Sequence, residues 1–261
     1  MTEHSLGNRH VLVTGAGTGI GAAIASACAG AGARVSLAGR RRDPLVALQS
    51  LLGDSRAHVV AELDVTDENK VRAGVAAARG AFGPIDILVN NAGEAPSAPL
   101  AKTDLATWNK VLAVNLTGTF LVTKEVVSDM IVKRAGRVIN IASTAGLVGY
   151  AYVSAYVAAK HGVVGLTRSL ALEFARAGIT VNAVCPGYTD TPLFARAIDN
   201  IVAKTQRSRE DARAMLAISN PQGRLVTPDE VASAVLWLAS EAANSITGQA
   251  IAIAGGEVMV G

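Results

Sequence analysis

Strand-length apolar runs alternate with helix-length segments along almost the whole chain, and this alternation limits the possible folds most strongly. Seven runs are rich in valine and isoleucine, and they span 10–15, 33–39, 58–65, 85–93, 136–143, 179–187 and 249–256. Candidate helices lie between them at 19–31, 67–82, 104–132, 152–177 and 228–240. Runs that are apolar throughout are typical of strands buried on both faces of a parallel sheet. The pattern predicts an α/β fold, a doubly wound parallel sheet with helices on both faces.

The composition fits one domain and excludes several other classes of protein. Half of the 261 residues are apolar and 17% are charged, and no linker or repeat interrupts the pattern, so residues 1–261 are predicted to form a single domain. The formal charge is +3 and the basic residues are spread along the chain, which argues against nucleic acid as a partner. Cys28 and Cys185 lie in apolar stretches, and we interpret them as core residues in a reducing compartment.

Neither a membrane segment nor a metal site is predicted. The opening sequence, MTEHSLGNRH, lacks the apolar core of a signal peptide, and no run of about 18 uncharged apolar residues is present. No cluster of His, Cys and Asp has the spacing of metal ligands. We therefore expect a cytoplasmic protein that neither enters a membrane nor holds a metal.

One segment departs from the alternation. Residues 188–227 contain no strand-like run and are predicted to form helix and loop. Such segments often carry substrate contacts, so we expect a lid over the substrate at about 188–220. Basic residues outnumber acidic ones within 194–216, and they are Arg196, Lys204, Arg207, Arg209 and Arg213. This excess could attract the phosphate of a coenzyme A or a carrier protein, or it could be a solvated helix face.

A glycine-rich turn lies between the first predicted strand and the first predicted helix. Its sequence, TGAGTGIG at 14–21, fits T-G-x-x-x-G-x-G, but it fails the strict G-x-G-x-x-G pattern because Ile20 replaces the third glycine. Glycines let the backbone approach phosphates, and a helix N-terminus offers free N–H groups. An ordinary tight turn is the alternative, but the position favours a dinucleotide. The predicted phosphate-binding residues are Gly15, Gly17, Thr18, Gly19, Ile20 and Gly21.

The end of the second strand bears on which dinucleotide fits. An acidic residue there binds the ribose 2′-hydroxyl of NAD, whereas arginine suits the 2′-phosphate of NADP. The strand ends in Gly39 followed by three arginines, and Asp43 is expected to begin the next helix. We therefore predict NADP(H), with Arg40 as the main contact and Arg41 as a helper. A solvated basic turn is the alternative.

Ser143, Tyr156 and Lys160 form a candidate catalytic group. Ser143 closes the fifth predicted strand, where ligands bind in such sheets. Tyr156 and Lys160 are four residues apart on a predicted helix and so share one face. A nearby ammonium would lower the pKa of the phenol from about 10 and fit it for acid–base chemistry. By itself this spacing is common, and it gains meaning beside the glycine-rich turn.

Together these motifs resemble the short-chain dehydrogenase/reductase family over nearly the whole chain. The matching motifs, in the family's order, are TGAGTGIG (14–21), Asp64-Val65, NNAG (90–93), Asn115, Ser143, Tyr156/Lys160 and Pro186-Gly187. The wording of 179–193, ITVNAVCPGYTDTPL, is similar to a branch that holds 3-oxoacyl-thioester reductases, polyketide ketoreductases and 3-hydroxybutyrate dehydrogenases. The resemblance implies a Rossmann-like fold and hydride transfer between a nicotinamide cofactor and a carbonyl or alcohol.

The resemblance also implies roles for single residues. Tyr156 would protonate the carbonyl oxygen, Lys160 would lower its pKa and hold the nicotinamide ribose, and Ser143 would bind the substrate oxygen. Asn115 would hold a water that joins Lys160 to solvent, or it is a buried polar residue satisfied by the backbone. The further cofactor contacts that it implies are Asp64 and Val65 at the adenine, Asn91, Ala92 and Gly93 in the cleft, and Pro186, Gly187, Thr189 and Thr191 at the nicotinamide.

The remaining polar residues near these motifs are interpreted without a catalytic role. Tyr150, Tyr152 and Tyr188 have no lysine four residues on, so we expect them to line the pocket. His161 is expected to be a packing or surface residue. Asn90 is interpreted as joining the fourth strand to its loop.

The leading hypothesis is an NADP(H)-dependent ketoreductase or alcohol dehydrogenase that acts on a small molecule, such as a 3-oxoacyl thioester or a similar ketone. The second is an NAD-dependent dehydrogenase of a hydroxyacyl thioester or small hydroxy acid. A non-catalytic, cofactor-binding sensor is the third, although such a protein would be expected to lack Tyr156 or Lys160. The resemblance further implies a homotetramer, with helices 104–132 and 152–177 paired across a two-fold axis.

Overall fold

The computed structural model describes residues 5–205 and 208–259. Seven parallel strands form one sheet in the order β3-β2-β1-β4-β5-β6-β7. The strands are β1 (His10–Thr14), β2 (Arg34–Gly39), β3 (Ala57–Ala61), β4 (Ile87–Asn90), β5 (Gly136–Ile141), β6 (Ile179–Pro186) and β7 (Ala250–Ile253). The order runs outward in both directions from β1 and β4, which places the connecting helices on both faces. The predicted doubly wound, Rossmann-like sheet is confirmed.

Nine α-helices are found in the described part of the chain. They are α1 (Gly19–Gly30), α2 (Arg42–Leu52), α3 (Glu68–Phe82), α4 (Leu105–Leu112), α5 (Gly118–Lys133), α6 (Ser154–Phe174), α7 (Pro192–Thr205), α8 (Arg209–Ala217) and α9 (Pro228–Ala239). Several begin at the residues that the sequence indicates. Asp67 and Asp104 cap α3 and α4 by accepting backbone N–H groups. Thr227 and Glu230 form a capping box on α9, and Asp43 lies in the first turn of α2.

Each face of the sheet has its own apolar layer. Alternate side chains of β1 enter different layers, because successive residues of a strand point to opposite faces. Val13 packs in the layer that contains Ile24 of α1 and Val235 of α9. Leu12 packs in the layer that contains Val126 of α5. All of these side chains are fully buried, so the sheet is covered on both sides as the apolar strands predict.

The third strand is shorter than the predicted run of 58–65. It ends at Ala61, because Glu62 has a φ of 63° and turns the chain out of the extended conformation. Asp64 and Val65 therefore lie in the loop beyond the strand.

The helical segments at 104–132 and 152–177 also differ in detail from the prediction. The first is a continuous helical run, but a π-helical turn at Ala113–Thr117 separates α4 from α5. The second begins two residues late, at Ser154, because Tyr152 has a φ of 68°. It ends at Phe174, where a 3₁₀ turn, Ala175–Ala177, replaces the last predicted turn.

The combined helix Leu105–Lys133 is long and apolar enough to cross a membrane by length and composition alone, which the sequence analysis did not anticipate. Of its most apolar window, 44% is buried inside the protein. Val122 and Met130 of this helix are fully buried in the layer that covers the sheet. A core helix meets the same two criteria, so the finding is weak support for a membrane segment.

The described residues of 188–227 form helix and loop, as predicted, apart from a single bridge between Thr189 and Val226. It carries α7 and α8, and an apolar cluster that includes Phe194 and Ala212 joins these helices. Movement of this segment as a lid stays a prediction, which amide exchange with and without ligands would test.

Candidate active site

The loops that follow β1, β4, β5 and β6 meet at one edge of the sheet. The carboxyl ends of parallel strands share one edge, so the register decides which loops are neighbours. Asn90 of β4 pairs with Asn140 of β5, and Ala142 N donates to Val184 O of β6 at 2.8 Å. Ser143 Oγ then donates to Pro186 O at 3.5 Å. The motif residues after these strands are thereby collected in one place.

The glycine-rich turn contacts the NNAG segment closely. Gly15 has a φ of +65°, and a Cβ atom there would lie 3.0 Å from Ala92 Cα. A Cβ atom on Gly21 would lie only 2.2 Å from Gly15 O. Asn91 Nδ2 holds the turn by donating to Thr14 O at 3.0 Å and Gly15 O at 3.2 Å. Asn91 therefore shapes the predicted phosphate loop.

Thr14 is a site residue that the sequence analysis missed. Its buried Oγ1 accepts hydrogen bonds from Asn91 N at 3.0 Å and Ala92 N at 3.1 Å. The hydroxyl thus joins the end of β1 to the loop after β4. Its position as the first residue of the TGAGTGIG motif could have identified it from the sequence.

The first turn of α1 is suited to an anion. Thr18, which precedes the helix, is exposed and its side chain makes no capping hydrogen bond. No acidic residue lies in this first turn. Backbone N–H groups at such an N-terminus favour phosphate. Gly19 faces Thr191, since a Cβ atom on Gly19 would lie 3.3 Å from Thr191 Cβ, so the segment after β6 reaches the turn.

The structure brings Ser143, Tyr156 and Lys160 together. Ser143 Oγ accepts a hydrogen bond from Ala145 N at 3.1 Å in the turn after β5. Lys160 is 4% exposed, and its Nζ donates to Ile141 O at 2.8 Å. The same Nζ lies 5.5 Å from the centre of the Tyr156 ring. The predicted one-sided placement of the phenol and the ammonium on α6 is observed.

The pKa shifts of this pair differ from the sequence-based expectation. Burial raises the pKa of Tyr156 to about 12, although interaction with the Ser143 hydroxyl acts in the lowering direction. Burial lowers the pKa of Lys160 to about 8. In the chain without cofactor the pKa of Tyr156 is therefore raised rather than lowered, because the phenol loses its solvation. The lowering effect of Lys160 stays a prediction.

Asn115 lies in the π-helical turn between α4 and α5 and is fully buried. Its Nδ2 donates to Glu94 O at 2.9 Å and to Val111 O at 3.0 Å. Its Oδ1 has no hydrogen-bond partner among the described residues. A Cβ atom on Gly93 would lie 2.8 Å from this oxygen and 3.8 Å from Lys160 Nζ. Backbone carbonyls therefore satisfy the Nδ2 group of the amide, whereas its Oδ1 acceptor stays free and lies close to the lysine.

The predicted adenine and ribose contacts lie beyond β2 and β3. Asp64 Oδ1 accepts hydrogen bonds from Thr66 N at 3.0 Å and Thr66 Oγ1 at 2.7 Å. Burial alone would raise the pKa of Asp64, but these bonds and the charge of Arg40 lower it. Val65 is buried and packs against Gly118 of α5. The Val65 side chain therefore has a packing role.

Arg40 and Arg41 are exposed at the end of β2, which is compatible with both interpretations of this turn. A Cβ atom on Gly39 would meet only Leu45, at 3.7 Å. The position therefore has room for a side chain or for a bound group.

The segment after β6 carries the last predicted contacts. Thr189 is buried and donates to Gly187 O at 3.0 Å, whereas Thr191 Oγ1 accepts from Phe194 N at 3.2 Å and so caps α7. Tyr150 and Tyr188 meet edge to face at 6.3 Å. Tyr152, in contrast, is 67% exposed, so the expectation that it lines the pocket is wrong.

The other polar groups have structural explanations. His161 is exposed on α6. The described part of the chain contains no cluster of three metal-ligating side chains. Both cysteines are buried and free. Of the basic residues in 194–216, Arg209 and Arg213 pair with Asp199 and Asp190. Arg207 and the side chains of Arg196 and Lys204 lie outside the described part.

A separate cleft lies at the opposite edge of the sheet. It has a volume of about 820 Å³ and is lined by Arg9, Arg137 and Thr180, among others. Arg137 and Thr180 lie near the starts of β5 and β6, so this cleft is remote from the catalytic group.

Comparisons with known proteins agree with this geometry. A sequence model of the family described as short chain dehydrogenase matches residues 9–201. The chain is 44% identical to a putative ketoacyl reductase of the granaticin polyketide synthase from Streptomyces violaceoruber, covering 94% of this chain and 91% of that one. It is 40% identical to a cis-4-hydroxycyclohexanecarboxylate dehydrogenase from Sinomonas cyclohexanicum, with 98% and 99% covered.

A solved structure has the same fold. A single-residue variant of actinorhodin polyketide ketoreductase, crystallised with NADPH, superposes with a TM-score of 0.92 at 39% identity. The match covers 96% of this chain and 97% of that one.

The close contact at Gly21 predicts a loss of stability on substitution. Gly21→Ala should lower the free energy of unfolding by about 1–3 kcal/mol, because the new methyl group meets Gly15 O. Gly30→Ala is the matched control in the same helix, since no atom outside the helix's own backbone lies within 4 Å of its Cβ position. Urea unfolding of both variants tests this, and an unchanged midpoint for Gly21→Ala would contradict it.

Proposed function

The chain belongs to the short-chain dehydrogenase family, and from that premise we propose that it is an NADP(H)-dependent ketoreductase. It transfers a hydride between NADP(H) and a ketone or secondary alcohol. One observation carries the proposal: Ser143, Tyr156 and Lys160 meet at the sheet edge that also holds the glycine-rich turn. The bound nicotinamide supplies the hydride, and the protein supplies position, a proton and charge stabilisation.

In the proposed reduction, Tyr156 and Ser143 act on the carbonyl oxygen. The tyrosine hydroxyl gives its proton to that oxygen as negative charge develops, and the serine hydroxyl donates a hydrogen bond to it. A phenol with a pKa of about 12 stays protonated at neutral pH, so it is in the acid form that reduction needs. In alcohol oxidation the phenol must act as a base, and the positive charge of Lys160 then stabilises the phenolate.

Lys160 and Asn115 supply a new proton to Tyr156 after its own proton has passed to the substrate. The lysine has a pKa of about 8, so near neutral pH it can give up and regain a proton readily. The free Oδ1 of Asn115 beside Gly93 supplies an acceptor for a bridging water, and such a water would connect the lysine to solvent. The water itself remains part of the proposal.

The residues present fit a dinucleotide diphosphate. Gly15 and Gly21 make close contacts that a larger residue would strain, and the uncapped start of α1 offers backbone donors. Gly39 brings no negative charge to the end of β2, and Arg40 follows it at once, which favours NADP(H). An NAD-dependent dehydrogenase is the alternative if these exposed arginines contact only solvent.

The substrate class is proposed from the relatives. One is named as a ketoacyl reductase and another as a dehydrogenase of a cyclic secondary alcohol, and this chain covers over nine-tenths of both. A 3-oxoacyl thioester or a similar ketone is therefore the favoured substrate, and a small hydroxy acid is the alternative. A cofactor-binding sensor is disfavoured because the complete Ser143, Tyr156 and Lys160 group is present.

We further propose that the protein is cytoplasmic and works on small molecules, without nucleic acid or membrane as a partner. Cell fractionation tests this placement, and recovery with the membrane fraction would contradict it.

Replacement of Tyr156 tests the function directly. The assay uses a panel of ketones and alcohols that includes 3-oxoacyl thioesters and 4-oxocyclohexanecarboxylate. Each compound is tested with NADP(H) and with NAD(H), and turnover is followed by the absorbance of the reduced nicotinamide. Tyr156→Phe should reduce turnover by about 10²–10⁴-fold, because general acid catalysis is lost, while cofactor affinity stays nearly unchanged. Tyr152→Phe is the control, since that phenol is exposed. Near-normal turnover of Tyr156→Phe would refute its catalytic role.

Two substitutions test the cofactor preference. Arg40→Ala should raise the KM for NADPH roughly ten- to a hundredfold and hardly change that for NADH, because a charge-assisted contact is worth about 1.5–3 kcal/mol. Gly39→Asp should shift preference toward NADH, and the open space at Gly39 accommodates the new side chain. Arg176→Ala serves as a surface-charge control. Equal catalytic efficiency of the unmodified enzyme with both reduced cofactors would refute the preference.

A homotetramer is proposed from apolar surface on the predicted interface helices. Leu105, Phe120, Val132 and Leu172 are 72%, 44%, 87% and 83% exposed on α4, α5 and α6. Light scattering at micromolar concentration should give four times the 26.6 kDa chain mass. Phe120→Glu should lower the mass by placing a charge in the contact, whereas Leu51→Glu on α2 should not. A monomeric mass for the unmodified chain would rule out the tetramer.

A further inference from the structure

A carboxylate from the C-terminal segment lies against the walls of the candidate active site. Glu257 Oε1 accepts a hydrogen bond from the Tyr150 hydroxyl at 2.7 Å. That hydroxyl is also hydrogen-bonded to Thr144 Oγ1 at 2.8 Å. A Cβ atom on Gly187 would lie 2.9 Å from Glu257 Oε2, so the second carboxylate oxygen lies beside the end of β6. The carboxylate is thus held between two loops.

Both of these loops carry reacting or flanking groups of the site. Thr144 directly follows Ser143, and Gly187 directly follows Pro186, whose carbonyl oxygen lies 3.5 Å from Ser143 Oγ. Glu257 therefore lies beside Gly187, and the Tyr150 hydroxyl links it to Thr144, the residue that follows the serine. Because these contacts are made to residues next to Ser143 and Pro186, we expect a substrate whose oxygen contacts Ser143 to place its adjoining atoms near this carboxylate.

Glu257 has no counter-charge among the described residues. Among the described residues, the only polar contact of its carboxylate is the bond from Tyr150, and no lysine, arginine or histidine there pairs with it. The side chain is half-buried. Its field reaches the neighbouring aromatic groups, since burial and the Glu257 charge together raise the pKa of Tyr188. A partly desolvated carboxylate that no described cation neutralises acts over several ångströms on a charge brought near it.

We propose that Glu257, held by Tyr150, sets the charge selectivity of the substrate pocket. It disfavours ketones that carry a carboxylate near the carbonyl and favours those with a neutral or hydrogen-bond-donating group there. The proposal rests on the proposed ketoreductase function and narrows its substrate class. Among the candidates above, it favours neutral ketones and thioesters over small hydroxy acids.

Tyr150 contributes by fixing the carboxylate. Its hydroxyl occupies Oε1, which leaves Oε2 without a hydrogen-bond donor among the described residues. A hydroxyl or ammonium group of a substrate can donate to that oxygen, whereas a carboxylate offers it only like charge. Glu257 acts on selectivity rather than on the chemical step, so its effect should depend on substrate charge.

Three cyclohexanones of similar shape and different charge test the proposal. They are 4-oxocyclohexanecarboxylate, its methyl ester and 4-(dimethylamino)cyclohexanone, which is cationic at neutral pH. With NADPH, the unmodified enzyme should have a kcat/KM for the carboxylate at least about tenfold below that for the ester, as expected for like charges in a partly desolvated site. The kcat/KM for the cationic ketone should equal or exceed that for the ester.

Glu257→Gln is the decisive variant, because the amide keeps an acceptor for Tyr150 and removes the charge. This variant should bring the kcat/KM for the carboxylate within about threefold of that for the ester, because the like-charge repulsion is removed. The kcat/KM for the ester itself should change little. Glu257→Asp keeps the negative charge and should therefore retain the preference for the ester over the carboxylate. Glu241→Gln removes the same charge beside Arg9, in the remote cleft, and should leave all three ratios unchanged. Circular dichroism of each variant checks the fold.

The outcomes separate this proposal from the proposed function. If none of the three ketones is reduced, the ketoreductase function loses support. Dissociation constants of the same compounds from the enzyme–NADPH complex, followed by nicotinamide fluorescence, then measure the charge preference directly. A carboxylate that reacts or binds as well as the ester, a ratio that Glu257→Gln leaves unchanged, or no binding of any of the three would overturn the proposal.

Discussion

Parallel pairing of β1, β4, β5 and β6 is the constraint on which the rest of the structure depends. Each ladder fixes how far one strand extends beyond its neighbour, and together they bring four loops to one edge. The glycine-rich turn, the NNAG segment, Ser143 and the Pro186-Gly187 segment are separated by tens of residues in sequence. They become neighbours only through these ladders. A slip in the register between β5 and β6 would separate Ser143 from Pro186.

Buried amides fasten this edge to the helices that carry the catalytic side chains. Asn90 Nδ2 donates to Asn140 Oδ1 and to Thr123 Oγ1, each at 2.9 Å, and so joins β4 to β5 and α5. Asn140 Nδ2 donates to Thr167 Oγ1 of α6, also at 2.9 Å. The turn that holds Asn115 directly precedes α5, and α6 carries both Tyr156 and Lys160. Directional bonds in a dry interior therefore fix the positions of these groups.

Much of this arrangement could be predicted from the sequence because it depends on local patterns. Apolar runs predict the strands, and the four-residue spacing predicts that Tyr156 and Lys160 share a face. Other features depend on contacts between distant segments. The Glu257–Tyr150 bond joins residues 107 positions apart, and no pattern in the sequence indicates it. The pKa of Tyr156 likewise depends on how completely the folded chain excludes water, which spacing alone does not determine. Asn90, interpreted as joining the fourth strand to its loop, is the last residue of β4, and its buried amide also bonds to β5 and α5.

The central claim is that this edge transfers a hydride between a nicotinamide and a carbonyl carbon. Reduction of a ketone with NADPH deuterated at the reactive C4 position tests it most directly, with the alcohol product analysed by mass spectrometry and NMR. The account predicts one deuterium, bound to the carbinol carbon, and an about 10²–10⁴-fold lower rate of deuterated-alcohol formation by Tyr156→Phe. Alcohol without deuterium at that carbon, or NADPH oxidised without alcohol formation, would contradict the account.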